Sequence, residues 1–344
     1  MFRNAFLLLS LFLLSFFTSA QVAIVVEGSG GMQVFDNVPD AVTNASAGDY
    51  IYLPEGSFAI GDLTIDKELH FRGVGHNPTH GRTTLNGTLR LVTGADNSSF
   101  TGFYMVGVFQ YGNDDTDEAV DNVTIKRCNL DDFRGYSGGG TNPNSQGLLI
   151  QECITRSDFF GGRIASTVIN NSFIYDAGNM ITFDNAVYTN CIIFKVRNSG
   201  TSTLHYDRAI SNTAFINCIF YGNSGNSYSA YYINYGNSYT NCLFTLNLNS
   251  NANLVNELEG VPGGDVFVNP ASNFDYNNDY SLPAHSPGKN YGTDGTDVGV
   301  YGGSQPFKAS GIPIEPHVIQ QNVNGATSPD GKLRIRVEVA AQEQ

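Results

Sequence analysis

Six stretches of the chain carry one phrase. They are IKRCNLDDF at 125–133, IQECITRSD at 150–158, INNSFIYDA at 169–177, YTNCIIFKV at 188–196, FINCIFYGN at 215–223 and YTNCLFTLN at 239–247. Aligned, they put Cys128, Cys153, Ser172, Cys191, Cys218 and Cys242 in one column, 19 to 27 residues apart, and that column holds all five cysteines of the protein. A recurrence of this length marks stacked supersecondary units. Each copy alternates polar and apolar residues for a few positions and then breaks into Gly, Asn, Ser or Asp, the pattern of a short strand and a turn. No helical spacing interrupts the repeats. Strands returning about every two dozen residues without helices predict a coil of parallel strands, each rung ~4.8 Å above the last.

Residue choice within the phrase follows from that stacking. A position aimed into a narrow core must be small and apolar, and an unpaired Cys behaves as a compact hydrophobe. Side chains stacked from neighbouring parallel strands seldom offer disulfide geometry, so the thiols are expected to be free and buried. Just before the column stand Asn171, Asn190, Asn217 and Asn241. Either their amides bond to those of neighbouring rungs, or they are exposed turn formers.

The first twenty residues, MFRNAFLLLSLFLLSFFTSA, join a basic Arg3 to an apolar run and end on small residues. They read as a secretory signal peptide cleaved near Ala20, which places the mature chain outside the cell or on its surface. No later stretch is apolar enough to span a bilayer. The formal charge of −14 argues against nucleic acid and anionic membranes as partners. Residues 21–305 form the solenoid, and 306–344 form a proline-spaced extended segment ending in the alternating strand KLRIRVEVA. The expected state is a monomer.

At both ends of the solenoid the sequence resembles a known family. DAVTNASAGDYIYLPEGSF, from Asp40 to Phe58, is similar to the first coil of the pectin lyase-like superfamily, a short helix followed by AGD-x-I-x-L-P-x-G. DYSLPAHSPGKNYGTDGTDVGVYGG, from Asp279 to Gly303, is similar to the family's closing phrase, with Lys289 and Asn290 where many relatives carry an apolar-acidic pair. The tail resembles those of secreted Bacteroidetes-like proteins. The resemblance implies a right-handed, single-stranded parallel β-helix that acts on or binds an extracellular, acidic polysaccharide. It speaks for fold more than for activity, because both phrases cap and turn the chain.

The column serves as a ruler for charges on neighbouring rungs. Three to six residues past it lie Asp131, Asp132 and Arg134, then Arg156 and Asp158, then Asp176, then Lys195 and Arg197. Such a patch suits β-elimination on a uronate, which needs the carboxylate neutralised and the adjacent proton removed. Arg156, Lys195, Arg197 and Asp176 are the catalytic candidates. Arg134, Asp158, His205 and Arg208 are candidates for gripping the substrate, and Asp131 and Asp132 for holding Ca²⁺, the one cofactor the acidic residues suggest. Asp176, ~5 Å from Lys195 by rung spacing, would raise the lysine pKa and count against a free base unless a cation intervenes. The same charges also read as a solvated salt-bridge ladder. Glycoside hydrolysis is less well provided for, since only the Asp131-Asp132 pair and a K-x-R order at Lys195 and Arg197 match a polygalacturonase-like set. Further candidates are the acidic loop YGNDDTDEAVDN at 111–122 and the tyrosines of 228–239, as sugar-stacking rings or as strand and turn residues. A non-catalytic carbohydrate-binding or adhesive surface protein stands as the alternative.

Overall fold

The computed structural model describes residues 23–112, 119–135, 145–157, 159–162, 164–176, 181–183, 185–195, 212–222, 236–245, 253–269, 274–314, 317–323 and 335–340. For Phe160, Gly162, Asp176, Ile181, Thr182, Lys195 and the last two ranges this covers the backbone alone. The first twenty residues, expected from sequence to be a signal peptide, lie outside these residues.

The chain enters through an antiparallel hairpin, β1 (Ile24–Gly28) and β2 (Gly31–Phe35), and a short helix, α1 (Val38–Asn44). Asn37 caps α1 by accepting the Asp40 amide at 2.8 Å, and Val38, Ala41 and Val42 close the bottom of the core. From there each coil gives one strand to a sheet A and one to a sheet B. The pairs are β3 (Asp49–Tyr52) with β4 (Gly56–Ile65), β5 (Leu69–Arg72) with β6 (Thr83–Leu91), β7 (Ser99–Thr101) with β8 (Tyr104–Tyr111), and β9 (Thr124–Lys126) with β10 (Asn129–Gly135). β11 (Leu149–Gln151) and β12 (Ile154–Thr155) follow, and the alternation continues through Ser238–Thr240 and Leu243–Phe244. All neighbours within the coils pair in parallel, so the fold is a parallel β-solenoid.

From the third coil onward one left-handed residue makes the bend from sheet A to sheet B, where the first two coils use longer connections. Gly102, Arg127, Glu152, Asn171, Asn190, Asn217 and Asn241 all have left-handed backbones, with φ between 46° and 75°. Asn tolerates this region best after Gly, because its short amide can bond locally. That explains the asparagines of the repeat. Arg127 and Glu152 are uncommon there, and they form a buried ion pair at 2.9 Å.

The residue after the bend points inward. Cys128, Cys153, Ser172, Cys191, Cys218 and Cys242 are fully buried, and the five thiols are free. Burial pushes the Cys128 thiol up to about 12 and raises those of Cys153, Cys218 and Cys242, which keeps these sulfurs in the unreactive thiol form. Beside them runs an aromatic and aliphatic column in register, including Phe71, Phe100, Ile125, Ile150, Ile169, Tyr188, Phe215 and Tyr239. Adjacent rings stack, Phe71 on Phe100 at 5.2 Å and Tyr188 on Phe215 at 4.8 Å. At the far end Glu257 terminates the column, its carboxylate accepting the amides of Cys242 and Val255 at 3.1 Å each.

A second core lies outside the coil. Ile154, Phe173, Ile192, Ile219 and Leu243 form one in-register row on the outer face of sheet B, and Val266, Phe267, Phe274, Tyr280, Leu282, Val298, Val300 and Phe307 cover it. The chain then runs back along the bends as a strap. Asn241 donates to the Tyr291 carbonyl, Asn217 exchanges hydrogen bonds with Thr293, Asn171 donates to the carbonyls of Val300 and Gly302, Arg127 to that of Ile312, and Asn77 to that of Ala309. The asparagine column therefore holds the strap. Amide-to-amide contacts between rungs occur among the described residues from Asn256 to Asn241 and from Asn122 to Asn97, each at 3.4 Å. In the closing phrase Asp297 pairs with Lys289 at 2.7 Å and accepts the Asn290 amide, which fixes that turn. The tail strands His317–Val323 and Ile335–Ala340 pair antiparallel with each other.

Candidate functional site on the open half of sheet B

The apolar outward row ends between the fourth and fifth strands of sheet B. On the outward row that carries Phe173 and Ile154, the preceding positions are Asn129, Tyr104, Thr84 and Ser57. Asp62, Thr64, Arg90, Gln110, Asp132 and Arg134 extend this polar half along the same face, alternating with inward Leu63, Leu89, Phe109 and Phe133.

At the step between the halves polar groups converge. Both Arg82 and Arg156 lie over the ring of Tyr104, their guanidinium carbons 5.1 and 5.7 Å from its centroid. The Tyr104 hydroxyl donates to Asp131 at 2.9 Å. The Nε of Arg156 donates to the side-chain Oδ1 of Asn129 at 2.8 Å, and the side-chain Nδ2 of Asn129 donates to the Tyr276 hydroxyl at 2.8 Å. Tyr276 comes from the cover and reaches back over the step, its hydroxyl 2.9 Å from the Nδ1 of His76 and bonded to the His76 carbonyl at 3.1 Å. His76 is fully buried, and burial with the nearby Arg156 holds it near 3, so the ring is neutral and positions Tyr276. Burial raises the phenols of Tyr104 and Tyr276, and Asp131 adds to the rise at Tyr104. Among the described residues neither Arg82 nor Arg156 forms an ion pair with a carboxylate.

Of the residues singled out from sequence, Asp131 and Arg156 belong to this cluster. Asp132 and Arg134 form a neighbouring ion pair at 2.7 Å. Asp176 and Lys195 are register partners on adjacent strands, with only their backbones described. Asp158, Arg197, His205 and Arg208, the acidic positions 114–118 and Tyr228, Tyr231, Tyr232 and Tyr235 lie outside the described residues. Asp121 accepts both the backbone and the side-chain amide of Gln146 at 3.0 Å. Tyr239 is interior, stacked on Phe215 at 5.1 Å. As for Ca²⁺, Asp131 is engaged by Tyr104 and Asp132 by Arg134, and no group of three metal-ligating side chains occurs among the described residues.

Arg82, Tyr104, Asn129 and Tyr276 escape a reading limited to the charged positions beyond the cysteines. Tyr104 and Asn129 were within its reach, because Phe103 sits one step above Cys128 and each following residue is the outward one. Arg82, from the loop before β6, and Tyr276, from the cover, belong to no repeat. No known protein-family model matches the chain. No curated protein matches it significantly. No helix among the described residues is long and apolar enough to cross a membrane.

Proposed function

We propose that the chain is an exported, right-handed β-helix of the pectin lyase-like superfamily that binds an acidic polysaccharide on the open half of sheet B. One observation carries the reading: two guanidinium groups lie over one tyrosine ring without a carboxylate paired to either among the described residues. A guanidinium without an ion-pair partner gains from a carboxylate that reaches it. In a chain of charge −14 such a spot is an exception to the surface field. A uronate residue fits it, its carboxylate on Arg82 and Arg156, its ring beside Tyr104 and Tyr276, and its neighbours along the polar rows of β6, β8 and β10. The helical first coil and the closing phrase support the family assignment, and the signal-like first twenty residues support export.

Binding is favoured over elimination because the phenols at the site are raised by burial and make poor bases near neutral pH. The test is retention on immobilised polygalacturonate, alginate and hyaluronan, with absorbance of unsaturated uronate followed in parallel. The expected result is salt-sensitive retention on at least one of them, no rise in absorbance, and loss of retention in Arg82→Ala/Arg156→Ala. Undiminished retention in that folded double variant would remove the site from consideration. A steady rise in absorbance would replace binding with catalysis.

A further inference from the structure

A second surface, on sheet A near the entry of the chain, has a different chemistry. Glu27, Gly28 and Ser29 of the β1–β2 hairpin and Ala47, Gly48, Asp49, Tyr50 and Tyr52 around the start of β3 enclose an open cavity of about 450 Å³. Its floor is tight because the Asp49 side chain packs directly on Gly28: a Cβ there would lie 1.8 Å from the Asp49 carboxylate, which is itself held by the Ser46 amide at 2.8 Å. Tyr50 stands at the rim, 39% exposed, and is the most exposed aromatic ring among the described residues.

The two sides of Tyr50 differ. Register pairs it with Glu27 on β1 and with His70 on β5. Toward β5 the ring is occupied, by the His70 imidazole at 4.6 Å and the Arg72 guanidinium at 5.3 Å. It also lines the cavity, together with the Tyr52 ring stacked 6.2 Å from it and the Glu27 and Asp49 carboxylates. Burial first, and then the neighbouring Glu27 carboxylate, push the Tyr52 phenol up to about 12, so the two groups lie close together at the cavity, and Glu27 can accept hydrogen bonds from a ligand.

We propose that this cavity binds a neutral sugar residue, with the apolar face of the pyranose against the β1 side of Tyr50 and its hydroxyls donating to Glu27. An aromatic ring beside a fixed carboxylate satisfies the two faces of a hexose. Two carboxylates in the lining repel a uronate. A small cation would answer the two carboxylates but leave the apolar Tyr50 ring, whose β5 side Arg72 already takes up, without a partner. The ligand class is thus the opposite of that drawn to Arg82 and Arg156, and the two surfaces together suit a polymer of mixed neutral and acidic sugars.

Saturation-transfer NMR on the full chain with methyl β-glucopyranoside, methyl β-galactopyranoside, methyl α-mannopyranoside and methyl α-galacturonate tests this. The expected outcome is transfer to the ring protons of at least one neutral glycoside, reduced about tenfold in Tyr50→Ala, kept in Tyr50→Phe and weakened in Glu27→Gln. Arg82→Ala/Arg156→Ala leaves that transfer unchanged, so failure at one surface is told apart from failure at the other. Absence of transfer to every neutral glycoside, or equal transfer in Tyr50→Ala, would overturn the proposal.

Discussion

The outer face of sheet B is one surface with two fates. In the early coils its first outward row reads Ser57, Thr84, Tyr104, Asn129, and in the later coils Ile154, Phe173, Ile192, Ile219, Leu243. The backbone is the same on both sides of the step, and the side chains decide whether the row enters the second apolar core or forms polar contacts, with Ser57 exposed, Tyr104 half-buried and Thr84 and Asn129 buried. A solenoid thus separates scaffold from site along its axis: the inner column sets the coil, and the outer row decides which length is covered and which is offered to a ligand.

The largest expected effect comes from attacking the covered half. Phe173 is fully buried and meets Phe274, Tyr280 and Phe307 with centroids 4.8 to 4.9 Å away. Phe173→Ala should cost ~3–5 kcal/mol in denaturant melts, whereas Ser57→Ala, on the same row in the open half, should cost less than ~0.5 kcal/mol. Comparable losses would erase the distinction between the halves. The strap comes next. Asn171→Ala removes two hydrogen bonds to carbonyls of the closing segment and places Ala in a left-handed backbone, which should cost ~2–3 kcal/mol, read by the same melts. A smaller effect is expected at the end of the solenoid. Burial raises the Glu257 carboxyl to about 7 from its ordinary 4.5. A raised acid binds protons more tightly in the folded state, so its contribution is present below pH ~4.5 and fades as pH climbs toward ~7. Melting temperature should therefore fall over that window in the native chain more than in Glu257→Gln. Parallel pH profiles would discount the role of this carboxylate.

Much of this was legible in the phrases. The spacing of Cys128 through Cys242 identified the solenoid, and their small size identified the inward position. Less visible was the double burial, although it is written in the same letters. Asn129-Leu130-Asp131 after Cys128 keeps a polar outward row, while Ile192-Ile193-Phe194 after Cys191 is apolar on both faces, the mark of a strand covered twice. The role of the asparagines was open because a left-handed bend and an amide ladder ask for the same residue. The strap decided it, and its contacts join Asn171 to residues about 130 positions away, beyond any local pattern. The site was half legible for the same reason: Asp131 and Arg156 sit on the repeat, whereas Arg82 and Tyr276 are supplied from outside it.

Hydroxyl-radical footprinting of the full chain with and without polygalacturonate tests the central claim most directly, because tyrosines report on every surface involved. The account expects protection at Tyr104 and Tyr276, with no change at Tyr301, exposed on the closing segment, or at Tyr50 on sheet A. Protection at Tyr301 with Tyr104 and Tyr276 unchanged would contradict it.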